Sequence, residues 1–154
     1  MNQTPLDTLI GLVRDARDGA ARLLAGERHS ERQLAEQLAM LEQYRNEYWE
    51  RLHEHMRGGM DAVRLQDYQG FLASLDNAIV QATKAIGEQK QRVSLRQQQW
   101  QQEQRRLTSY DALSQRRHAA LRLQEARCEQ RRNDEFTTNR VARRGTTPLL
   151  EEQP

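Results

Sequence analysis

The sequence contains few of the residues that cross-link, kink or fill a globular protein. Of its 154 residues, one is cysteine, three are proline and 5% are aromatic. Because Cys128 has no second cysteine to join, an internal disulfide is excluded and a reducing compartment is expected. The prolines lie only near the ends, at Pro5, Pro148 and Pro154, so none interrupts a helix in the interior.

Long apolar runs are also missing. No stretch approaches 18 apolar residues, and the N-terminus lacks a basic segment followed by an apolar one, so we expect neither a membrane-spanning helix nor a signal peptide. The expected protein is soluble and intracellular but able to dock on a membrane-bound machine. With 36% hydrophobic and 30% charged residues, the chain can fill only a narrow seam between helices, and disorder is the alternative.

No pattern typical of an active site is present. There is no glycine-rich phosphate loop, serine elbow or carboxylate pair in a strand-turn-helix context. His53 and His55 lie two residues apart, so on a helix their side chains point about 200° apart and cannot chelate one ion. We therefore predict no enzymatic activity, no cofactor, no metal and no small-molecule ligand. Cys128 falls on a heptad row, which predicts a buried thiol.

What the sequence does have is a seven-residue repeat. Thr4, Pro5 and Asp7 form a helix-start signal, and a first helix is predicted over about residues 5–56. Its seam has one row at Leu6, Val13, Ala20, Glu27, Leu34, Leu41 and Tyr48, and a second row at Leu9, Ala16, Leu23 and Ser30.

The repeat resumes in a second predicted helix, over about residues 62–144 with Asp61 as its cap. Its main row comprises Leu65, Leu72, Ile79, Ile86, Val93, Trp100, Leu107, Ser114, Leu121 and Cys128, and its second row is more polar, at Leu75, Ala82, Gln89, Arg96, Glu103, Tyr110, Arg117 and Gln124. A period of seven over this length indicates left-handed supercoiling against a partner helix. The tail, 145–154, is predicted to be disordered.

Gly58 and Gly59 separate the two helices. A local fray in one continuous helix is one interpretation, but a reversal at about residues 57–61 lets the two seams bury each other. The sequence therefore predicts an all-α protein: one coiled-coil domain over 1–154, a long two-helix antiparallel hairpin with unequal arms. Residue i of the first helix would lie beside about residue 119 − i, which leaves residues beyond about 115 without an intramolecular partner.

Two surfaces are candidates for partner binding. The C-terminal arm has nine arginines against four acids between Arg116 and Arg144, which suits nucleic acid or an acidic protein groove, and the interspersed acids favour the protein. Near the turn, residues recur at 4-3-4 spacing and form either a docking patch or a wider core; they are Gln37, Leu41, Tyr44 and Tyr48, facing Phe71, Leu75, Ala78 and Ala82.

Three segments resemble the FliJ family, a soluble component of the bacterial flagellar type III protein export apparatus. They are LAMLEQYRNEYWERL (38–52), LQDYQGFLASLDNAI (65–79) and EARCEQRRNDEF (125–136). The resemblance implies a stalk-like antiparallel coiled coil. Its partners would be the hexameric export ATPase, whose assembly and activity it promotes, the membrane export-gate protein and the export chaperones, at the cytoplasmic face of the inner membrane at the flagellar base.

The resemblance also assigns residues by position. The gate-binding surface would comprise Gln37, Leu41, Tyr44, Tyr48, Phe71, Leu75 and Ala78, and the small Ala82 weakens its continuation. The ATPase-binding arm would include Leu121, Arg127, Arg131, Arg132 and Phe136. The expected protein stimulates but does not perform ATP hydrolysis and has no nucleic-acid partner. An arginine-rich nucleic-acid-binding coiled coil or a plain scaffold rod is the alternative.

Overall fold

The computed structural model describes residues 3–145, almost all of them in two helices. Helix α1 spans Pro5–Arg57, 53 residues, and helix α2 spans Ala62–Arg144, 83 residues. The prediction of an all-helical, two-helix hairpin with arms of unequal length is confirmed. The predicted disordered tail lies, from residue 146 onward, outside the described residues.

The chain divides into two compact units. One, which we call the hairpin unit, is Leu9–Leu107; the described part of the other comprises residues 3–8 and 108–145. A single domain over the whole chain stays a prediction.

A reciprocal cap begins α1 at Pro5. The backbone N–H of Asp7 donates to Thr4 Oγ1 at 3.3 Å, while the hydroxyl and backbone N–H of Thr4 donate to Asp7 Oδ2 at 2.7 and 3.1 Å. This capping box satisfies N–H groups that have no partner inside the helix, and it places a carboxylate at the positive end of the helix dipole.

The same cap makes the first turn sensitive to acid. The hydroxyl of Thr4, and then its backbone N–H, hold the pKa of Asp7 below the ordinary value of 3.8. A lowered pKa in the folded state means that this stabilisation is present above pH 3.8 and is lost as the pH falls through the lower, folded-state pKa. We expect Thr4→Val to raise the pKa of Asp7, measured by NMR titration of its carboxyl carbon; an unchanged pKa would contradict the capping role.

The glycine pair forms the reversal between the helices. Gly58 N–H donates to the carbonyl of Glu54 at 3.3 Å, Gly59 N–H donates to that of Met56 at 3.5 Å, and Gly59 has a φ of +85°. Glycine adopts this left-handed conformation without the steric cost that a Cβ imposes, and it ends many helices in this way. Asp61 then takes the N-cap position of α2, because its carbonyl accepts the N–H of Leu65 at 3.1 Å.

We expect Gly59→Ala to destabilise the protein by about 1 kcal/mol, since an L-residue at positive φ is strained even where space is open. No atom lies within 4 Å of a Cβ built at Gly59, so backbone strain is the only cost. Gly70→Ala is the matched control: it lies inside α2 in similarly open space, and alanine there should stabilise by up to about 1 kcal/mol. Urea unfolding of both variants tests the sign; equal stability changes would contradict a strained turn.

The core of the hairpin unit is a thin seam between antiparallel helices. Glu27 of α1 contacts Gln89 of α2, whereas the later residue Tyr48 contacts the earlier residue Phe71, so the two chains run in opposite directions. The most buried of the described side chains, such as Val13 and Leu107, are still 3% exposed. The buried residues are Ile10, Val13, Leu24 and Leu52 of α1 and Leu72, Gln89 and Leu107 of α2.

The second seam row of α1 differs from the sequence prediction by one position. Leu9 and Leu23 are 38% and 50% exposed, whereas their neighbours Ile10 and Leu24 are each 7% exposed. The predicted row at Leu9, Ala16, Leu23 and Ser30 was therefore wrong; the row that faces α2 comprises Ile10, Arg17, Leu24, Glu31, Leu38, Arg45 and Leu52, all buried or half-buried. Three of its seven members are charged, so its periodicity does not stand out as an apolar pattern.

On α2, both predicted rows are confirmed as buried or half-buried as far as Tyr110 and Ser114. Beyond that point, every described residue from Gln115 to Gly145 is exposed. The expectation of a buried thiol was wrong, because Cys128 lies on this exposed segment of the helix.

Candidate functional site

One cluster of apolar and aromatic residues lies across both helices of the hairpin unit, close to the turn. We call it the two-helix stripe and define it by the seven predicted residues, Gln37, Leu41, Tyr44 and Tyr48 of α1 with Phe71, Leu75 and Ala78 of α2. The rings of Tyr48 and Phe71 join its halves, with centroids 4.4 Å apart and planes at 39°. Beside them, an ion pair between Arg45 and Asp76 also joins α1 to α2.

The stripe lies at the edge of the seam and is only partly buried. Tyr44 and Phe71 are 47% and 43% exposed, and Gln37 is exposed as well. The other four residues are half-buried, while the nearby buried seam residues, Leu52 and Leu72, are 4% and 8% exposed. A row that is half-buried in the hairpin retains enough apolar surface to be covered by a partner.

The ring of Tyr48 contacts three neighbouring side chains. Its ring lies 4.4 Å from Phe71 and 6.3 Å from Tyr68, and the guanidinium carbon of Arg51 stands 5.4 Å from its centroid. Aromatic and cation–π contacts of this kind hold a ring in one orientation. The ring is therefore positioned before any partner arrives, which lowers the entropy cost of binding.

Several residues around the stripe were not among the predicted site residues. Tyr68 and Arg51 contact Tyr48, and Arg45 pairs with Asp76, 31 positions further along the chain. The pairing of Arg45 with Asp76 could have been predicted from the antiparallel register. That register can be assigned only after the position of the turn is known. Trp49, 47% exposed, packs against His53 with tilted rings whose centroids are 4.5 Å apart, and it lies about 100° around α1 from Tyr48.

The second candidate surface is the basic arm, residues 116–144 of α2. Its large apolar side chains are exposed, with Leu121 at 47% and Phe136 at 70%. Helical geometry places Leu121, Arg132 and Phe136 within about 60° of one another on one face, whereas Arg127 and Arg131 lie on the neighbouring face. The five predicted ATPase-binding residues are thus divided between a face with Leu121, Arg132 and Phe136 and a second face with Arg127 and Arg131.

Metal-binding geometry is not found in the described chain. Among residues 3–145, no three His, Cys, Asp or Glu side chains are grouped so that they could hold an ion. His53 and His55 face different neighbours, Trp49 and Tyr68 respectively, as their spacing predicts. Likewise, no helix within 3–145 is long and apolar enough to cross a membrane.

Comparison with known proteins identifies the family of this hairpin. Residues 1–146 match the family described as Flagellar FliJ protein. The chain belongs to the FliJ family. It is 36% identical over 139 residues to the Flagellar FliJ protein of Salmonella typhi and 34% identical over the same length to that of Escherichia coli (strain K12). Each alignment covers 90% of this chain and 95% of the relative.

The fold has a counterpart among solved structures. A protein from Chlamydia trachomatis, named as a YscO homologue, superposes with a TM-score of 0.62 at 17% identity, covering 93% of this chain and 94% of the other. The FliJ resemblance seen in the three sequence segments is confirmed. As a FliJ-family member, the chain is a flagellar component of the type III export apparatus, and its partners lie within that apparatus.

Proposed function

We propose that this chain is a non-enzymatic, stalk-like component of flagellar export that links the export ATPase to the membrane export gate. The basic arm binds the ATPase hexamer and promotes its assembly and activity, and the two-helix stripe engages the gate protein. The chain also binds export chaperones. It is held at the cytoplasmic face of the inner membrane, at the flagellar base, by these contacts.

The observation that carries the proposal is the presence of two exposed apolar surfaces on a FliJ-family hairpin. One includes Phe71 and Tyr44 near the turn, and the other includes Leu121 and Phe136 on the basic arm. Exposed apolar side chains interleaved with charge are typical of surfaces that a partner covers.

The charge of the arm favours an acidic protein groove. Nine arginines stand against four acids between Arg116 and Arg144. The guanidinium group keeps its charge at an interface and bonds carboxylates in a forked geometry. Complementary charge accelerates association and selects the partner, while Leu121 and Phe136 provide apolar anchors.

Co-purification from defined components tests the proposal. The full chain is mixed separately with the purified export ATPase and with the cytosolic part of the gate protein from the same organism, and stable complexes are expected in both cases. ATP hydrolysis should rise when the chain is added to the ATPase, and the chain alone should hydrolyse none. If the chain failed to bind the ATPase, or failed to bind the gate protein, the linking role would be contradicted.

The arginine-rich arm also makes nucleic-acid binding the second candidate. Binding to generic duplex DNA with an affinity that falls steeply and log-linearly with salt would support it. We expect no such binding at physiological salt, because Glu125, Glu129, Asp134 and Glu135 are interspersed along the arm.

A further inference from the structure

Gln89 is a polar side chain buried in the seam between the two helices. It is 3% exposed, and it is the one buried polar residue among residues 3–145. It belongs to the second row of α2, between the buried Leu72 and Leu107 of the main row. A buried amide is tolerated only when its hydrogen bonds are made.

Both the nitrogen and the oxygen of the Gln89 amide are hydrogen-bonded. Its Nε2 donates across the seam to Glu27, to the backbone carbonyl at 2.9 Å and to Oε2 at 2.6 Å. Its Oε1 accepts from Arg92 Nε at 3.0 Å and Nη2 at 2.8 Å. Arg96 Nε stands 4.0 Å from Glu27 Oε1, so α2 surrounds this carboxylate with donors.

Only one alignment of the helices brings these groups together. Glu27 is the single charged member of its row, whose other members are Leu6, Val13, Ala20, Leu34, Leu41 and Tyr48. If α2 slid by one heptad in either direction, Gln89 would face Ala20 or Leu34. Neither side chain can accept or donate a hydrogen bond, so the buried amide would lose the Glu27 carboxylate as its partner across the seam.

We infer that Gln89 is a positioning residue that sets the register of α1 against α2 and thereby aligns the two halves of the two-helix stripe. A single polar residue in a coiled-coil seam is known to specify register at some cost in stability. Gln89 lies about 27 Å along α2 from Phe71. A slip of one heptad would move Phe71 about 10 Å away from Tyr48. The consequence for gate binding rests on the proposed function; the register itself does not.

The Gln89→Leu variant tests the inference. Leucine suits the seam, so we expect an unchanged or higher melting temperature together with a second register. In the second register that we expect, the substituted side chain at position 89 lies opposite Leu34, and Glu27 lies opposite Arg96. Nitroxide labels are attached at two exposed positions, Gln33→Cys and Gln101→Cys, in a Cys128→Ser background, and their separation is measured by pulsed electron paramagnetic resonance.

The expected distances differ clearly. In the observed register the labelled residues are separated by about 27 Å along the helix axes, and in the alternative by about 17 Å. We expect one distance in the parent and a second, shorter one in Gln89→Leu. Gln81→Leu, the same change at an exposed position of α2, is the matched control and should keep the single distance.

Each other outcome overturns the inference. A single, parent-like distance in Gln89→Leu would show that the turn and the apolar contacts set the register without Gln89. A marked fall in melting temperature or failure to fold would show that the amide supplies stability instead of specificity. Because the measurement uses the chain alone, its result is independent of whether the stripe binds the gate.

Discussion

We expect truncation after Ser114 to abolish stimulation of the export ATPase while leaving the hairpin unit folded. The proposal assigns ATPase binding to the arm, and this truncation removes Leu121, Phe136 and the three predicted arginines with it. Every buried residue of the described chain lies at or before Leu107. We therefore expect ATPase turnover to fall to the level without the chain, while the melting temperature changes little.

Charge and apolar surface can be separated within the arm. Neutralising Arg127, Arg131 and Arg132 to glutamine should weaken ATPase binding most strongly at low salt, because exposed charges attract over a distance that salt shortens. The matched control neutralises three exposed arginines of the hairpin unit, Arg14, Arg28 and Arg64. It changes net charge equally and should leave stimulation intact.

Turnover of the purified ATPase with increasing amounts of each variant is the measurement. Equal stimulation by the full chain and the truncated one would refute the assignment of the arm. An equal loss in both arginine variants would show that net charge, and not the arm itself, is what the ATPase recognises.

Phe71→Ala should weaken binding to the export gate by about thirtyfold, the effect of losing an interface anchor worth about 2 kcal/mol. Phe71 is 43% exposed, so its removal leaves no closed cavity in the seam. Tyr48→Ala should weaken binding similarly, with a larger cost in stability because Tyr48 is half-buried and contacts three neighbouring side chains. The two changes should not be additive, since the rings touch.

Trp49→Ala is the control for this surface. Trp49 is as exposed as Tyr44, at 47%, and lies next to Tyr48 in the chain but faces another direction on α1. Calorimetric titration against the cytosolic part of the gate protein, with thermal unfolding of each variant, gives both quantities. A large fall in the melting temperature of Phe71→Ala would place this ring in the core; an equal loss of binding in Trp49→Ala would remove the assignment to the stripe.

The prediction of α1 shows why a correct repeat can still leave one face misassigned. A period of seven is compatible with a second row three or four residues after the first. Leu9 and Leu23 favour the first choice, while Ile10 and Leu24 favour the second. In the structure the second row is the buried one, and Arg17, Glu31 and Arg45 are half-buried in it. Long charged side chains tolerate this because their charged ends can still reach a partner, as that of Arg45 reaches Asp76. The number of apolar residues in each row of one helix does not show which charged side chains can pair with the other helix.

The candidate site, like the first helix, was predictable from the sequence in part. The 4-3-4 spacing and the position of the turn were enough to place Tyr48 beside Phe71, and the rings are in contact. The contacts of Tyr48 with Tyr68 and Arg51 depend on rotamers and on the local crossing of the helices, which sequence spacing does not specify.

The sequence by itself determined the family, the two helices, the reversal at Gly58-Gly59 and the antiparallel pairing, because heptad periodicity, capping residues and glycine act over a few neighbouring positions. Only the tertiary structure decided which face of α1 is buried, that Gln89 meets Glu27, and that Phe71 is half-exposed while Leu72 is buried. These outcomes depend on how two surfaces fit together, since burial of a side chain is decided by the partner helix as much as by the residue itself.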